Sequence, residues 1–270
     1  MTTDTLTRTE SFECGGPVEL DVRLKTGRIE VRAAETSTVR VQLAPDTEGA
    51  RAAAADVLRE TRVELEDGKL VVRGPRGFAG CGLSVTIEAP RRSSLKAHAH
   101  HASIAASGAL AGLVAATGRG AVTADEVDGP ADVATGSGAV RLGRVAGPLR
   151  ARVGSGSVHL GSLEGQRVRI ATGNGDLHLG IVEGHAQLRT GRGGITVGEA
   201  GGGELTLVSG AGDLRVGLRP GVAAELDLAS GSWEAGSELD LSEDPPAGAP
   251  AARIRMRTGS GKAVVARAAG

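Results

Sequence analysis

From about residue 117 to residue 217 apolar and polar positions alternate in short runs, and the runs repeat. Val140/Leu142, Val158/Leu160, Leu177/Leu179, Ile195/Val197 and Leu214/Val216 form one series. Leu149/Ala151, Val168/Ile170, Ala186/Leu188 and Leu205/Leu207 form a second. A period of two describes a strand with one buried side, not a helix. Between the runs a small-residue turn recurs every 18 or 19 residues: Gly118-Arg119-Gly120, Gly136-Ser137-Gly138, Gly154-Ser155-Gly156, Gly173-Asn174-Gly175, Gly191-Arg192-Gly193 and Gly210-Ala211-Gly212. Two further glycine columns keep step, Gly143, Gly161, Gly180, Gly198, Gly217 and Gly129, Gly147, Gly165, Gly184, Gly202. A Thr or Ser precedes most of the first corners (Thr117, Thr135, Thr172, Thr190, Ser209), with Val153 the exception. Recurring glycines predict corners that require positive φ or close backbone approach.

One such coil cannot bury its apolar side alone, whereas stacked coils can. The pattern therefore predicts an all-β, single-stranded parallel β-solenoid (β-helix) with about 18–19 residues per rung. Residues 95–217 are its repeats, with almost no helix expected after residue 62. A propeller blade needs ~40 or more residues, and a sandwich gives no reason for aligned glycine columns. Residues 1–94 read as a β-rich cap, with strands around Val18–Val22, Ile29–Val31 and Ser84–Glu88. Asp46 or Thr47 is placed to cap an Ala-rich helix near 50–61, whose apolar contacts are Val57 and Leu58. Asp67-Gly68 between two alternating runs predicts a two-residue hairpin. Residues 218–270 hold C-terminal rungs and a closing strand: an acidic, Pro-rich loop from Ser242 to Pro250 leads to Ile254–Arg257, which is expected to pair with the last rung and close it.

The run TGSGAVRLGRVAGPLRARVGSGSVHLG from Thr135 resembles a bacterial β-strand-repeat family, abundant in actinobacteria and labelled "putative adhesin". VELDVRLKTGRIEVRAAETSTVRVQL from Val18 and SVTIEAPRRSSLKA from Ser84 extend the resemblance over nearly the whole chain. It implies the solenoid architecture and carries no catalytic residues across. Two positions depart from the family pattern. His100-His101 stands where an earlier rung would have its glycine corner, and Trp233 occupies a late corner where the family usually has Gly.

Composition narrows the functional classes. The chain has 43 Gly but only Phe12, Phe78 and Trp233 as aromatics, so Ala, Val, Leu and Ile must build the core. A net charge of −1 and the lack of stacking platforms argue against nucleic acid. No stretch approaches the ~18 apolar residues of a membrane span. Cys14 and Cys81 are too few for a secreted disulfide scaffold. Met1 to Glu10 is polar and lacks the apolar core of a signal peptide, so a cytoplasmic location is expected and a cell-surface role is not.

Candidate chemistry falls on three groups. Counting from the corners places Thr123, Arg141, His159, His178, Thr196 and Arg215 in one outward column, with His159 stacked ~4.8 Å from His178. Two imidazoles without a third ligand do not make a zinc site, so no metal and no cofactor are expected. Arg150, Arg152, Arg167, Arg169 and Arg189 lie on the strands before the corners and could hold a polyanion or a carboxylate-rich partner. Asp128, Glu164 and Glu183 form an acidic column. His98, His100 and His101 are the densest histidine cluster, with alternation placing His98 and His100 on one side and His101 on the other. Walker A, HExxH and GxSxG sequences are absent. The expectation is a non-enzymatic scaffold that presents His159, His178, Trp233 and the arginines to a protein partner, homo-oligomerisation being compatible. The rivals are a bactofilin-like filament and an enzyme or ligand-binding protein using His98, His100 and His101.

Overall fold

The structure, a computed structural model, describes residues 6–46, 51–75, 82–165, 167–231, 235–237 and 251–268. It divides into two compact units, Met1–Ser137 and Gly138–Gly270. Both are built of parallel rungs, and the one helix among the described residues is Arg51–Glu60.

In the first unit two long strands, Glu19–Ala34 and Ser94–Leu110, pair in parallel from Glu19↔Ser94 to Arg32↔Ser107. Gly27, at φ +133°, turns the first of them through a corner. Gly112–Arg119 and Val122–Val127 stack next in parallel, the second with a register shift between Ala106 and Ala109, followed by Ala131–Ser137. On its other edge Glu19–Ala34 carries Lys69–Arg73 and then Leu83–Pro90. Here the ladder turns antiparallel: Leu83–Pro90 pairs with Thr38–Pro45, which pairs with Arg8–Glu13, and Lys69–Arg73 pairs with Arg62–Glu66. Asp67 and Gly68 both take positive φ (47° and 73°), as a two-residue turn of this twist requires. Val57 and Leu58 of the helix are buried. Arg8 donates to the carbonyls of Leu58 and Thr61, each at 2.7 Å, which places a cation on the open C-terminal end of the helix. Thr47 and Cys81 lie outside the described residues.

In the second unit each rung has one strand before and one after the glycine corner. Leu149–Ser155, Val168–Asn174, Ala186–Arg192 and Gly203–Ala211 form one parallel stack. Val140–Val145, Val158–Leu163, Leu177–Val182, Ile195–Ala200 and Leu214–Leu218 form the other. The alternating apolar series all point inward and are buried. So is a further column, Val145, Leu163, Val182, Ala200 and Leu218, whose first four members the alternation does not announce. In the first four strands the buried positions shift by one residue after the second glycine, as in Val140–Val145 (in–out–in–out–half–in), whereas Leu214–Leu218 keeps plain alternation and a register shift between Val197 and Ala200 takes up the difference. Gly138, Gly156, Gly175 and Gly193 sit at equivalent corners, with φ between 135° and 143°. A Cβ on Gly156 would lie 2.2 Å from the carbonyl oxygen of Gly138. The hydroxyl column has a use here. Thr190 donates to the Gly175 carbonyl at 3.1 Å and Ser209 to that of Gly193 at 2.9 Å, so each satisfies a corner carbonyl of the neighbouring rung.

Ala251–Ser260 pairs with Gly203–Ala211, the last rung of the 95–217 repeats. It does not close the stack; it inserts between Gly203–Ala211 and Ala223–Ser230, parallel to both. Ala263–Arg267 is likewise flanked by Leu214–Leu218 and Ala235–Ser237. This exchange of strand order agrees with the charges on the outward faces. Sequential stacking would set Glu225 against Glu204, and like charges directly opposite on neighbouring strands are destabilising. Insertion places Arg253 between them, opposite Glu204 on one side and Glu225 on the other.

Candidate functional site

The outward column counted from the sequence forms as expected across the second unit: Arg141, His159, His178, Thr196 and Arg215 are successive register partners. The imidazoles of His159 and His178 are stacked, centroids 4.9 Å apart and planes inclined by 19°. Burial, the facing His178 and the Arg141 charge together hold His159 below its ordinary pKa, against the pull of Asp176. His159 Nε2 lies 3.2 Å from Ser157 Oγ. This is hydrogen-bond reach for a nucleophile and its base, Ser157 lying just before the Val158–Leu163 strand that carries His159, and a lone Ser-x-His spacing in the sequence does not single it out. Among the described residues no bond from a third group orients the imidazole, and Asp176, the nearby carboxylate, accepts instead from the backbone N–H of Gly194 at 2.8 Å.

In the first unit His98 is half-buried, whereas His100 and His101 are exposed. Alternating burial runs to Ala97 and resumes at Ala102, opposite the Gly27 corner, so the expected alternation does not run through the trio. His98 is in register with Arg23, and His101 stands between Thr26 and Arg119. Burial first, then the charges of Arg23 and Lys96, keep His98 below its ordinary pKa. A cationic neighbourhood suits neither a metal ion nor a general base that must become charged. No group of three His, Cys, Asp or Glu side chains among the described residues has the proximity to hold a metal. Beside His98, Asp21 is 3% exposed. Burial alone would raise its pKa, but the hydrogen bond from Arg23 and the charges of Arg23, Arg73 and Lys69 outweigh it and hold the carboxyl low.

The charged columns behave in two ways. The acidic column is matched within the chain: Arg144 forks onto Glu164 through two contacts of 2.8 Å, and Arg219 donates to Glu183 at 3.0 Å and also to Glu199. Arg253 and Arg255 are matched as well, by Glu225 at 2.8 Å and Asp227 at 3.1 Å, and Arg257 grips both oxygens of Asp227. Arg150, Arg152, Arg167, Arg169 and Arg189 differ. All five are exposed, and none makes an ion pair among the described residues. Arg150 and Arg169 are direct register partners, while Arg152 and Arg189 are separated by Ala171. At the start of these strands a groove of about 360 Å³ is lined by Arg167, Arg169, His185, Gln187, Glu204 and Thr206. The last four escape a sequence search because each is ordinary alone, and only stacking three rungs brings them together. Trp233 lies outside the described residues.

The fold and its columns define a parallel β-solenoid with a β-rich N-terminal cap and no assembled catalytic constellation among the described residues. No protein-family model matches the sequence, nor does any curated protein. Several solved structures are similar. One is described as a putative adhesin from Bacteroides fragilis NCTC 9343, with 12% identity, a TM-score of 0.46 and coverage of 96% of this chain and 97% of that one. Another, described as a putative adhesin from Parabacteroides distasonis ATCC 8503, shows 10% identity, a TM-score of 0.43 and coverage of 97% and 98%. A third, from the same organism and described as a putative lipid binding protein, shows 10% identity, a TM-score of 0.28 and coverage of 97% and 95%.

Proposed function

We propose that this chain is a non-enzymatic scaffold whose solenoid strand faces present fixed rows of side chains to a protein partner. The carrying observation is the register itself. The rows Arg141–His159–His178–Thr196–Arg215 and Arg150–Arg169 are held at strand spacing by corners that leave no room for a Cβ. A surface ordered before binding loses little conformational entropy on docking, so modest contacts suffice. The glycine-corner sequence further supports a place among the actinobacterial β-strand-repeat proteins. A cytoplasmic location is supported by the low cysteine count and by Cys14, which is a free thiol. No helix among the described residues is long and apolar enough to cross a membrane.

The test is affinity capture with cross-linking and mass spectrometry from the native cell. The parent chain is run beside Arg141→Glu/His178→Glu and Arg150→Glu/Arg152→Glu variants. A stoichiometric protein partner, lost from at least one variant, is expected. Capture of none by the parent, or undiminished capture by both variants, would overturn the scaffold reading. Cell fractionation that recovers the protein outside the cytoplasm would overturn the location.

A further inference from the structure

Three stacked rungs of the second unit begin with Arg167-Val168-Arg169, His185-Ala186-Gln187 and Glu204-Leu205-Thr206. Val168, Ala186 and Leu205 point inward and are buried, so the residues on either side of them face outward in two adjacent rows. Those rows line the groove of about 360 Å³. Two guanidiniums stand at one end, an imidazole, an amide and a hydroxyl follow, and Glu204 closes the far end, where Arg253 is its register partner. Arg150 continues the row beyond Arg169. Near neutral pH the open end of the groove is therefore cationic, and no side chain among the described residues neutralises it.

The same unit shows what satisfies such an arrangement. Arg253 and Arg255 are two residues apart on an extended strand, and Arg167 and Arg169 are likewise two apart, Arg169 on Val168–Asn174 and Arg167 immediately before it. Arg253 and Arg255 are paired by Glu225 and Asp227, also two residues apart on an extended strand. Same-side residues of an extended chain repeat every ~6.6–6.8 Å, so acidic residues at alternate positions match arginines at alternate positions without distortion. Guanidinium forks fit carboxylates bidentately. Gln187 and Thr206 add groups able to bond a peptide backbone. Nucleic acid fits less well, since the groove has no aromatic surface on which a base could stack.

We propose that this groove binds an extended, carboxylate-rich peptide segment, with Asp or Glu at alternate positions seated on Arg167 and Arg169. The proposal rests on the scaffold reading and names the chemistry of its partner. Screening by salt follows, because the contacts are exposed.

The test is fluorescence anisotropy with a short labelled peptide that alternates glutamate and serine. The comparison probes are the glutamine–serine counterpart, single-stranded oligothymidylate and an alginate oligomer. The glutamate peptide is expected to bind the full chain, to weaken with added salt, and to lose about tenfold or more in affinity for each arginine removed in Arg167→Ala and Arg169→Ala. Arg40→Ala, an exposed position on the Thr38–Pro45 strand of the first unit, should leave binding unchanged. Both groove arginines are exposed, so thermal melts of the variants should match the parent. Equal binding of the glutamine peptide, tighter binding of the oligonucleotide or alginate, no binding of the glutamate peptide, or binding unaffected by Arg167→Ala/Arg169→Ala would each overturn the proposal. A native partner that is captured normally by the Arg167→Ala/Arg169→Ala chain would remove the groove yet leave the scaffold reading standing. Failure of the parent to capture any partner would remove the scaffold reading itself.

Discussion

At the scale of single residues the corners carry the greatest constraint. Gly156 combines φ of +142° with a neighbouring carbonyl oxygen 2.2 Å from where a Cβ would sit. Gly221 has φ of +80° but nothing within 4 Å of the same position. The pair separates two costs. Gly221→Ala should lose only the price of left-handed backbone, roughly 1 kcal/mol, since the conformation is reachable for a small side chain. Gly156→Val should lose about 1–3 kcal/mol from the backbone alone, and more from displacing the rung beneath. Thermal melts followed by circular dichroism check this, and equal shifts for the two variants would show that the close approach costs nothing. The requirement for glycine was legible from its recurrence. The role of Thr190 and Ser209 was not, because a hydroxyl in a column says nothing of which carbonyl it meets until the coil is closed.

At the scale of the element, charge separates the two possible orders of the last rungs where the apolar pattern does not, and the order is expected to depend on it. Leu226 and Leu228 stand in register with Ile254 and Met256, which in turn match Leu205 and Leu207, so either strand would fit against Gly203–Ala211 by its inward residues. The outward residues distinguish them. Arg253, Arg255 and Arg257 meet Glu225 and Asp227 on one side, and Arg253 meets Glu204 on the other. Glu225→Lys with Asp227→Lys would set cations against three arginines. Amide protection of Ala223–Ser230 in hydrogen–deuterium exchange is expected to fall, while Val168–Asn174, two strands removed from the exchange, keeps its protection. Retained protection in Ala223–Ser230 would mean that the ladder bonds and the inward leucines hold this strand without help from charge.

For the molecule as a whole, stability should fall in two steps as the medium is acidified. His98 and His159 hold their protons less tightly when folded than when unfolded. Their contribution is therefore complete above the unfolded value near 6.5 and declines as pH falls toward the lowered folded values. Asp21 is likewise depressed. Its contribution is present above the unfolded value of about 3.9 and is lost as pH falls through the folded one. Denaturant midpoints measured from about pH 8 down to about pH 3 should show both steps. His98→Gln/His159→Gln should shrink the first and Asp21→Asn the second. A first step of unchanged size in the histidine variant would assign it to other groups.

The sequence by itself determined the strand period, the corner positions, the Asp67-Gly68 hairpin and the outward column through His159 and His178. These features are local or strictly periodic, so residues close in sequence specify them through φ preference, backbone room and alternation. Only the tertiary structure decided which charges are answered. Arg144 and Arg150 look alike in the sequence, yet Arg144 meets Glu164 on the next rung, whereas Arg150 meets Arg169. The insertion of Ala251–Ser260, the capping of the helix by Arg8 and the groove beneath Arg167 and His185 are of the same kind. Each depends on residues 18 to 53 positions apart becoming neighbours. Coulomb and hydrogen-bond energies act over a few ångströms of space, whatever the separation along the chain, so their outcome is set only once the order of the rungs is fixed.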